Sequence, residues 1–277
     1  MIKLGVNDKI GKPHLRQDFG GHSGMMLKKD NNKTAWKGSV AQWYKKSVGV
    51  EGSFYHKEVV IPNSLRLLDI KAGEKILDLG CGQGIMGRQI KNKYLGIDLS
   101  TDLIEEAKKL DKNINHTYLV EDITKELKIY GSFDKGLIVL ALQNVNKPFG
   151  VIRNFYKLLN KGGELLVVIN HPAFRIPKHS DWEIKDNKQF RIMESYLSPL
   201  EIPIESSPFD KKNNQISYSY HYPLSAYIEM LSDNGFLIKS LEEWISPKKS
   251  EGPMAIIEDR ARDEFPLFLA IKAVKNG

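Results

Sequence analysis

The sequence predicts an α/β protein organised on a doubly wound, mainly parallel sheet, and three observations predict it. Between Lys71 and about Asn170, short apolar runs alternate with amphipathic stretches, as strands do when helices cover both faces. The first run, Lys75-Ile76-Leu77-Asp78-Leu79, passes directly into Gly80-x-Gly82-x-Gly84. The next, Lys93-Tyr94-Leu95-Gly96-Ile97-Asp98, ends on a carboxylate.

Taken in order, residues 1 to about 38 are polar and glycine-dotted and read as an N-terminal arm, placed over 1–40. One domain is expected over 41–277, with 41–70 as an N-terminal helical cap. The cap opens on a stretch dense in aromatics and glycines, Trp43 to His56, which includes Tyr44 and Tyr55. Val59 to Asp69 follows with helical periodicity and Pro62 near its start. Strands are expected at 75–79, 94–97, 117–120, 135–141 and 164–169, and helices near 85–91, 101–110 and 148–160. Ser100 or Thr101 caps the second of these helices, and Gly162-Gly163 follows the third. Residues 170–222 are too long for a plain connection and read as a lid inserted after the fifth strand. A helix over Leu224–Asn234 and strands at Phe236–Trp244 and Pro266–Val274 close the chain, separated by a charged loop at 246–264.

A strand ending in glycines brings bare backbone close to a ligand, because no Cβ stands in the way. Asp98 is then placed to accept hydrogen bonds from two ribose hydroxyls, so the pair describes a nucleotide-type cofactor site. Asp98 follows Gly80 by 18 residues, which also fits a dinucleotide fold. Against that reading, Ile85 stands where the dinucleotide pattern has its third glycine, and the pair Glu121-Asp122 after the third strand has no role there.

These segments resemble the class I S-adenosylmethionine-dependent methyltransferases, of the small-molecule type. Leu77 to Gly84 matches that family's first motif, Gly96 to Ser100 its ribose-binding acid, and Leu119-Val120-Glu121-Asp122-Ile123 the acid that meets the adenine amino group. The resemblance covers roughly residues 70 to 170. It implies a Rossmann-like seven-stranded sheet with an antiparallel last strand, and S-adenosyl-L-methionine as cofactor with S-adenosyl-L-homocysteine as product. The cofactor-binding residues it implies are Asp78, Gly80, Cys81, Gly82, Gly84, Asp98, Leu99, Glu121, Asp122, Ile123, Ala141 and Leu142. The catalytic candidates are Tyr55 and His171. His171 directly follows the fifth strand at the open edge, where an imidazole can take a proton from a hydroxyl. In the lid, Trp182, Tyr196 and other aromatics are candidates to stack on a planar acceptor, and Arg175 or Arg191 to meet a carboxylate.

Composition narrows the partners. The chain has 277 residues, 41% hydrophobic and 27% charged, ordinary for a globular protein. A net charge of +7 permits nucleic acid without indicating it, since the lysines are scattered. The lone Cys81 excludes an internal disulfide, and inside the glycine turn it reads as packed, not nucleophilic. No apolar run approaches the length of a membrane span and no signal core opens the chain, so the expectation is a cytoplasmic protein with no membrane partner. The fourth strand does not end in Asp/Asn-Pro-Pro-Tyr/Phe, which lowers the case for DNA adenine or protein glutamine acceptors. A small-molecule acceptor is favoured. The alternatives are an RNA or protein methyltransferase, or a non-catalytic S-adenosylmethionine-binding protein. No metal is expected.

Overall fold

The computed structural model describes residues 38–205 and 216–277. The arm expected over 1–40 therefore lies outside the described residues except at its last three positions. The strands are β1 (Lys75–Leu79), β2 (Lys93–Asp98), β3 (His116–Val120), β4 (Phe133–Val139), β5 (Leu159–Asn170), β6 (Ser180–Lys185), β7 (Lys188–Met193), β8 (Leu200–Glu205), β9 (Ile216–His221), β10 (Phe236–Trp244) and β11 (Phe268–Lys275). The α-helices are α1 (Ser39–Val48), α2 (Ile61–Leu68), α3 (Thr101–Leu110), α4 (Pro148–Leu158), α5 (Leu224–Asp233) and α6 (Ala255–Glu264).

Seven strands form one sheet in the order β10-β11-β5-β4-β1-β2-β3. Neighbours from β3 to β5 are parallel, while β11 runs antiparallel to both β5 and β10. The expected antiparallel last strand is therefore present, slotted between the fifth and sixth strands of the sheet.

The period-2 pattern of the strands feeds two hydrophobic layers. From β5, Leu165, Val167 and Ile169 enter the layer under α4 and α5, with Phe155, Tyr227 and Leu231. The intervening Leu166 and Val168 enter the other layer, with Leu67 and Leu68 of α2 and Ile104 of α3. Each such side chain contributes about 1.5–3 kcal/mol by leaving water. A one-residue slip would send every one of them to the wrong layer. That register holds the carboxyl ends of β1, β2, β4 and β5 on one edge.

Four elements differ from expectation. The helix expected near 85–91 is only a 3-10 turn, Gly87–Gln89. Gly84 and Gly87 weaken a helix, and the rings of Tyr94 and Tyr118 fill the space a Cβ would need there. The cap helix begins with a π-turn, His56–Val60, because Pro62 has no N–H to continue an α-helical ladder. The charged loop at 246–264 contains α6, whose only fully buried side chain is Ala261, so its sequence carries little apolar periodicity. The insertion after β5 is two antiparallel hairpins, β6–β7 and β8–β9.

Candidate functional site

The site grows out of the turn after β1. The Gly80 and Cys81 N–H groups both donate to Ile97 O at 2.7 and 3.0 Å, which fastens the turn to β2. Gly80 has φ +84°, and a Cβ there would meet the Ala141 Cβ at 2.5 Å, so only glycine serves. Gly82, also left-handed at φ +54°, is less crowded; a Cβ there would reach only van der Waals contact with the Tyr44 ring and hydroxyl, from 3.9 Å.

Asp98 is aimed at that space from the end of β2. The Gly82 N–H donates to its Oδ2 and the Ser100 N–H to its Oδ1, both at 2.9 Å. Each oxygen keeps a further lone pair for a ligand hydroxyl. Burial pushes the Asp98 carboxyl above its ordinary range, against the pull of those backbone N–H groups. Ser100 also caps α3, accepting from Leu103 N at 3.3 Å. Leu99 lies between these two anchors, half-buried.

Asp78 lies beneath the turn, 2% exposed. Tyr94 Oη donates to its Oδ2 at 2.5 Å, while Oδ1 is buried with no partner. Burial pushes the carboxyl up to about 7. An orphaned carboxylate oxygen costs free energy unless a ligand donor reaches it. Cys81 is buried and its thiol pKa is raised by burial, as packing predicts and thiolate chemistry would not.

The third acid behaves differently. Asp122 Oδ1 accepts from Thr124 N at 3.0 Å and from Thr124 Oγ1 at 2.6 Å, and its Oδ2 sits 3.2 Å from Lys125 Nζ. It caps its own turn, and these donors pull its carboxyl below the usual range. Glu121 beside it is exposed, and Ile123 is buried with its Cδ1 against Gly80. Ala141 packs on Gly80, but Leu142 is 2% exposed and points into the sheet's core, away from the cleft.

Sequence reasoning missed Leu140, which ends the fourth strand at φ +53°. Leucine pays strain in that region, and the strain is held by Leu140 N donating to Val168 O at 2.8 Å and by Gln143 Nε2 donating to Leu140 O at 3.0 Å. The kink is what delivers Ala141 to Gly80. Nothing in a leucine's identity signals it.

The cap lies over the same turn. Gln83 Nε2 donates to Gly49 O at 2.5 Å and Arg88 to Val50 O, tying residues 49–50 to the glycine turn. Gly52 and His56 follow against Ile85. His56 Nδ1 is 2.8 Å from Ser53 Oγ, and burial lowers its pKa, which favours neutral imidazole. Tyr55 extends toward the end of β5, with its ring 6.1 Å from that of Phe268, the partner of Asn170 in the sheet.

His171 does not match the proton-accepting role assigned to it. Its Nδ1 accepts from Ala173 N and Phe174 N at 3.2 and 3.4 Å, and its Nε2 lies 2.7 Å from Glu243 Oε1. With Nδ1 accepting and Nε2–H donating, no lone pair faces the cleft. His171 shapes the turn at the head of the lid, with its ring stacked on Phe174. The lid aromatics are also spent on packing: Phe174 and Trp182 each meet Phe265 edge-on at 5.4 Å.

This arrangement is a doubly wound α/β fold with a candidate ligand site at the carboxyl edge of its sheet. Residues 70–195 match the family of methyltransferase domains. Curated relatives include phosphoethanolamine N-methyltransferase 1 of Triticum aestivum, 31% identical over 106 residues, covering 36% of this chain and 21% of that one. Another is the ubiquinone biosynthesis O-methyltransferase of Xanthomonas oryzae pv. oryzae, 32% identical over 104 residues, covering 35% and 43%. The chain thus spans less than half the length of each. Among solved structures, an S-adenosylmethionine-dependent methyltransferase from Mesorhizobium loti superposes with a TM-score of 0.62 at 24% identity, covering 79% of this chain and 99% of that one. The matched segment is thus similar to methyltransferase domains, and the fold is that of the solved S-adenosylmethionine-dependent methyltransferase. Among the described residues no helix is long and apolar enough to cross a membrane.

Proposed function

We propose that the protein transfers a methyl group from S-adenosylmethionine to a small-molecule acceptor. The observation that supports this most is the pairing of Asp98, its two oxygens fixed by Gly82 and Ser100, with the left-handed glycine backbone at Gly80 and Gly82. The orphaned Asp78 Oδ1 beside the same turn suits an ammonium, so the donor set fits an amino-acid-bearing nucleoside better than a dinucleotide.

When bound, the cofactor supplies an already activated methyl carbon, whose bond to sulfur breaks as the acceptor's nucleophile attacks in line. The chain's task is alignment and exclusion of water. Asp98 would hold the ribose hydroxyls, the Gly80–Gly84 backbone the chain beside them, and Asp78 the ammonium. Ala141 and Ile123 would line the floor. For the adenine, the peptide groups of 121–123 and the free side of Asp122 Oδ2 are the candidates, since Asp122 Oδ1 is already committed. Tyr55 and the neutral His56 face the acceptor side, and the imidazole is the group of the two that can receive a proton. Small-molecule acceptors of the curated relatives, and a lid of two short hairpins in place of a nucleic-acid module, favour a small acceptor here.

Calorimetric titration with S-adenosylhomocysteine tests the reading. Wild-type protein is expected to bind, and Asp98→Ala to lose at least about 100-fold, the loss of two hydrogen bonds to a charged group. Undiminished affinity in Asp98→Ala, or no binding by folded wild type, would overturn it.

A further inference from the structure

The acceptor side of the cleft holds positive charge that the fold leaves uncompensated. Two arginines elsewhere are matched by carboxylates: Arg66 grips Glu242, and Arg262 lies against Glu258 and Asp259. Arg175, in the turn that leaves β5, has no side-chain hydrogen bond and no carboxylate within ion-pair distance among the described residues. Only its backbone is tied down, with N donating to His171 O at 2.9 Å. The side chain is exposed, yet burial pushes its guanidinium pKa down. Solvent access with dense surroundings is the situation of a group inside a cleft that a ligand can reach.

Two further cations stand around it. Arg191 of β7 feels Arg175 as a like charge, and it is fixed by hydrogen bonds to Phe174 O at 2.7 Å and Ser180 Oγ at 2.6 Å, with its guanidinium 4.8 Å over Trp182. Lys248 places its ammonium 5.0 Å from the Tyr55 ring centroid and 4.9 Å from that of Phe54. Tyr55 is the common neighbour: its hydroxyl interacts electrostatically with Arg175 and accepts from Ser246 Oγ at 3.4 Å. Two cations from separate segments therefore meet at one tyrosine, with Arg191 beside Arg175, and among the described residues none of the three has a carboxylate within ion-pair distance. Gathering like charges without a counter-ion is unfavourable in a protein meant to leave them so.

We propose that Arg175, Lys248 and Tyr55 form a subsite for an oxyanion, a carboxylate or a phosphate, carried by the methyl acceptor. Arg175 supplies the planar fork that matches two oxygens, and Lys248 a second positive charge. Arg191 is a positioning residue, because its own donors brace the lid turn that carries Arg175. The subsite narrows the proposed small-molecule acceptor to an anionic one and rests on that reading.

The test uses the full chain saturated with S-adenosylhomocysteine and titrated with benzoate in one arm and inorganic phosphate in the other. Saturable binding of one of them is expected, and which one distinguishes a carboxylate acceptor from a phosphorylated one. Arg175→Gln is expected to weaken it by about tenfold or more and Lys248→Gln by about threefold. Arg153→Gln, on the outer face of α4 over Phe149, is expected to leave it unchanged. No saturable binding of either anion, or equal affinity in Arg175→Gln, would overturn the subsite. Binding of S-adenosylhomocysteine itself is read at the start of each titration, so failure of the cofactor site shows separately from failure of the anion subsite.

Discussion

At the amino end of the sheet Glu164 is surrounded by three lysines, whereas at the carboxyl end Asp78 keeps one buried oxygen with no partner at all. Glu164 reaches Lys135 Nζ at 2.5 Å, Lys239 Nζ at 2.6 Å and Lys272 Nζ at 3.0 Å. These donors outweigh burial and hold its carboxyl down to about 2. Asp78, with one hydroxyl donor and the negative Asp98 nearby, goes the other way, up to about 7. Both are largely buried carboxylates in the same sheet. The first is compensated within the fold and serves stability; the second has an oxygen that the described residues leave without a partner. The same contrast separates the ion-paired Arg66 from the open Arg175.

The largest stability effect that sharpens this contrast is expected at Glu164. Its folded pKa is depressed from 4.5, so its stabilisation is present above about 4.5 and is lost as pH falls toward 2. Glu164→Gln removes that charge among three lysines and is expected to cost about 3 kcal/mol at pH 7. Urea unfolding measures it. Affinity for S-adenosylhomocysteine should stay at the wild-type value, and a matching loss there would break the division of labour between the two ends.

Asp78 is expected to give the next effect, read in binding, with a stability change of opposite sign in the ligand-free protein. A ligand ammonium beside Oδ1 favours the ionised carboxyl, so affinity for S-adenosylhomocysteine should rise about tenfold from pH 6 to pH 8. Asp78→Asn should bind weakly and without that slope. In the ligand-free protein the sign reverses: the folded pKa is raised from 3.8, so the unfolded chain ionises first and stability declines as pH rises from about 3.8 to about 7. A binding profile flat across pH 7 in the wild type would remove Asp78 from cofactor recognition.

What the sequence made legible follows local chemistry. The strand before Gly80, the carboxylate at Asp98 and the alternation feeding two layers each depend on residue type at a spacing, and each stands where the sequence placed it. The helix after the glycine turn is shortened by Gly84 and Gly87, which the sequence shows, and by the rings of Tyr94 and Tyr118 on its flank, a tertiary fact with no local signal. Leu140 is hidden for the same reason, since its left-handed backbone is imposed by bonds to Val168 and Gln143. His171 was assigned chemistry from its position alone, and only the two backbone donors at Nδ1 show that its lone pair is already used. Arg175 and Arg191 were indistinguishable as residues; their partners tell them apart.

The smallest expected effect concerns the cover over the cofactor side. Helix α1 is pinned by Lys45 Nζ against Glu106 at 3.0 Å and by Gly38 N donating to Asp102 Oδ2 at 2.7 Å. Those bonds bring Tyr44 over Gly82 and near enough to Asp98 for burial and that charge to raise its phenol pKa, so it is protonated at neutral pH. A neutral ring in that place excludes water by its shape, and the hydroxyl adds little to that. Tyr44→Phe keeps the shape and is therefore expected to change S-adenosylhomocysteine affinity by no more than about threefold. Tyr44→Ala opens the cover and should cost more than Tyr44→Phe. If Tyr44→Phe were instead as damaging as Asp98→Ala, the hydroxyl itself would be a recognition group, and the cap would belong with Asp98 in the binding machinery instead of merely closing over it.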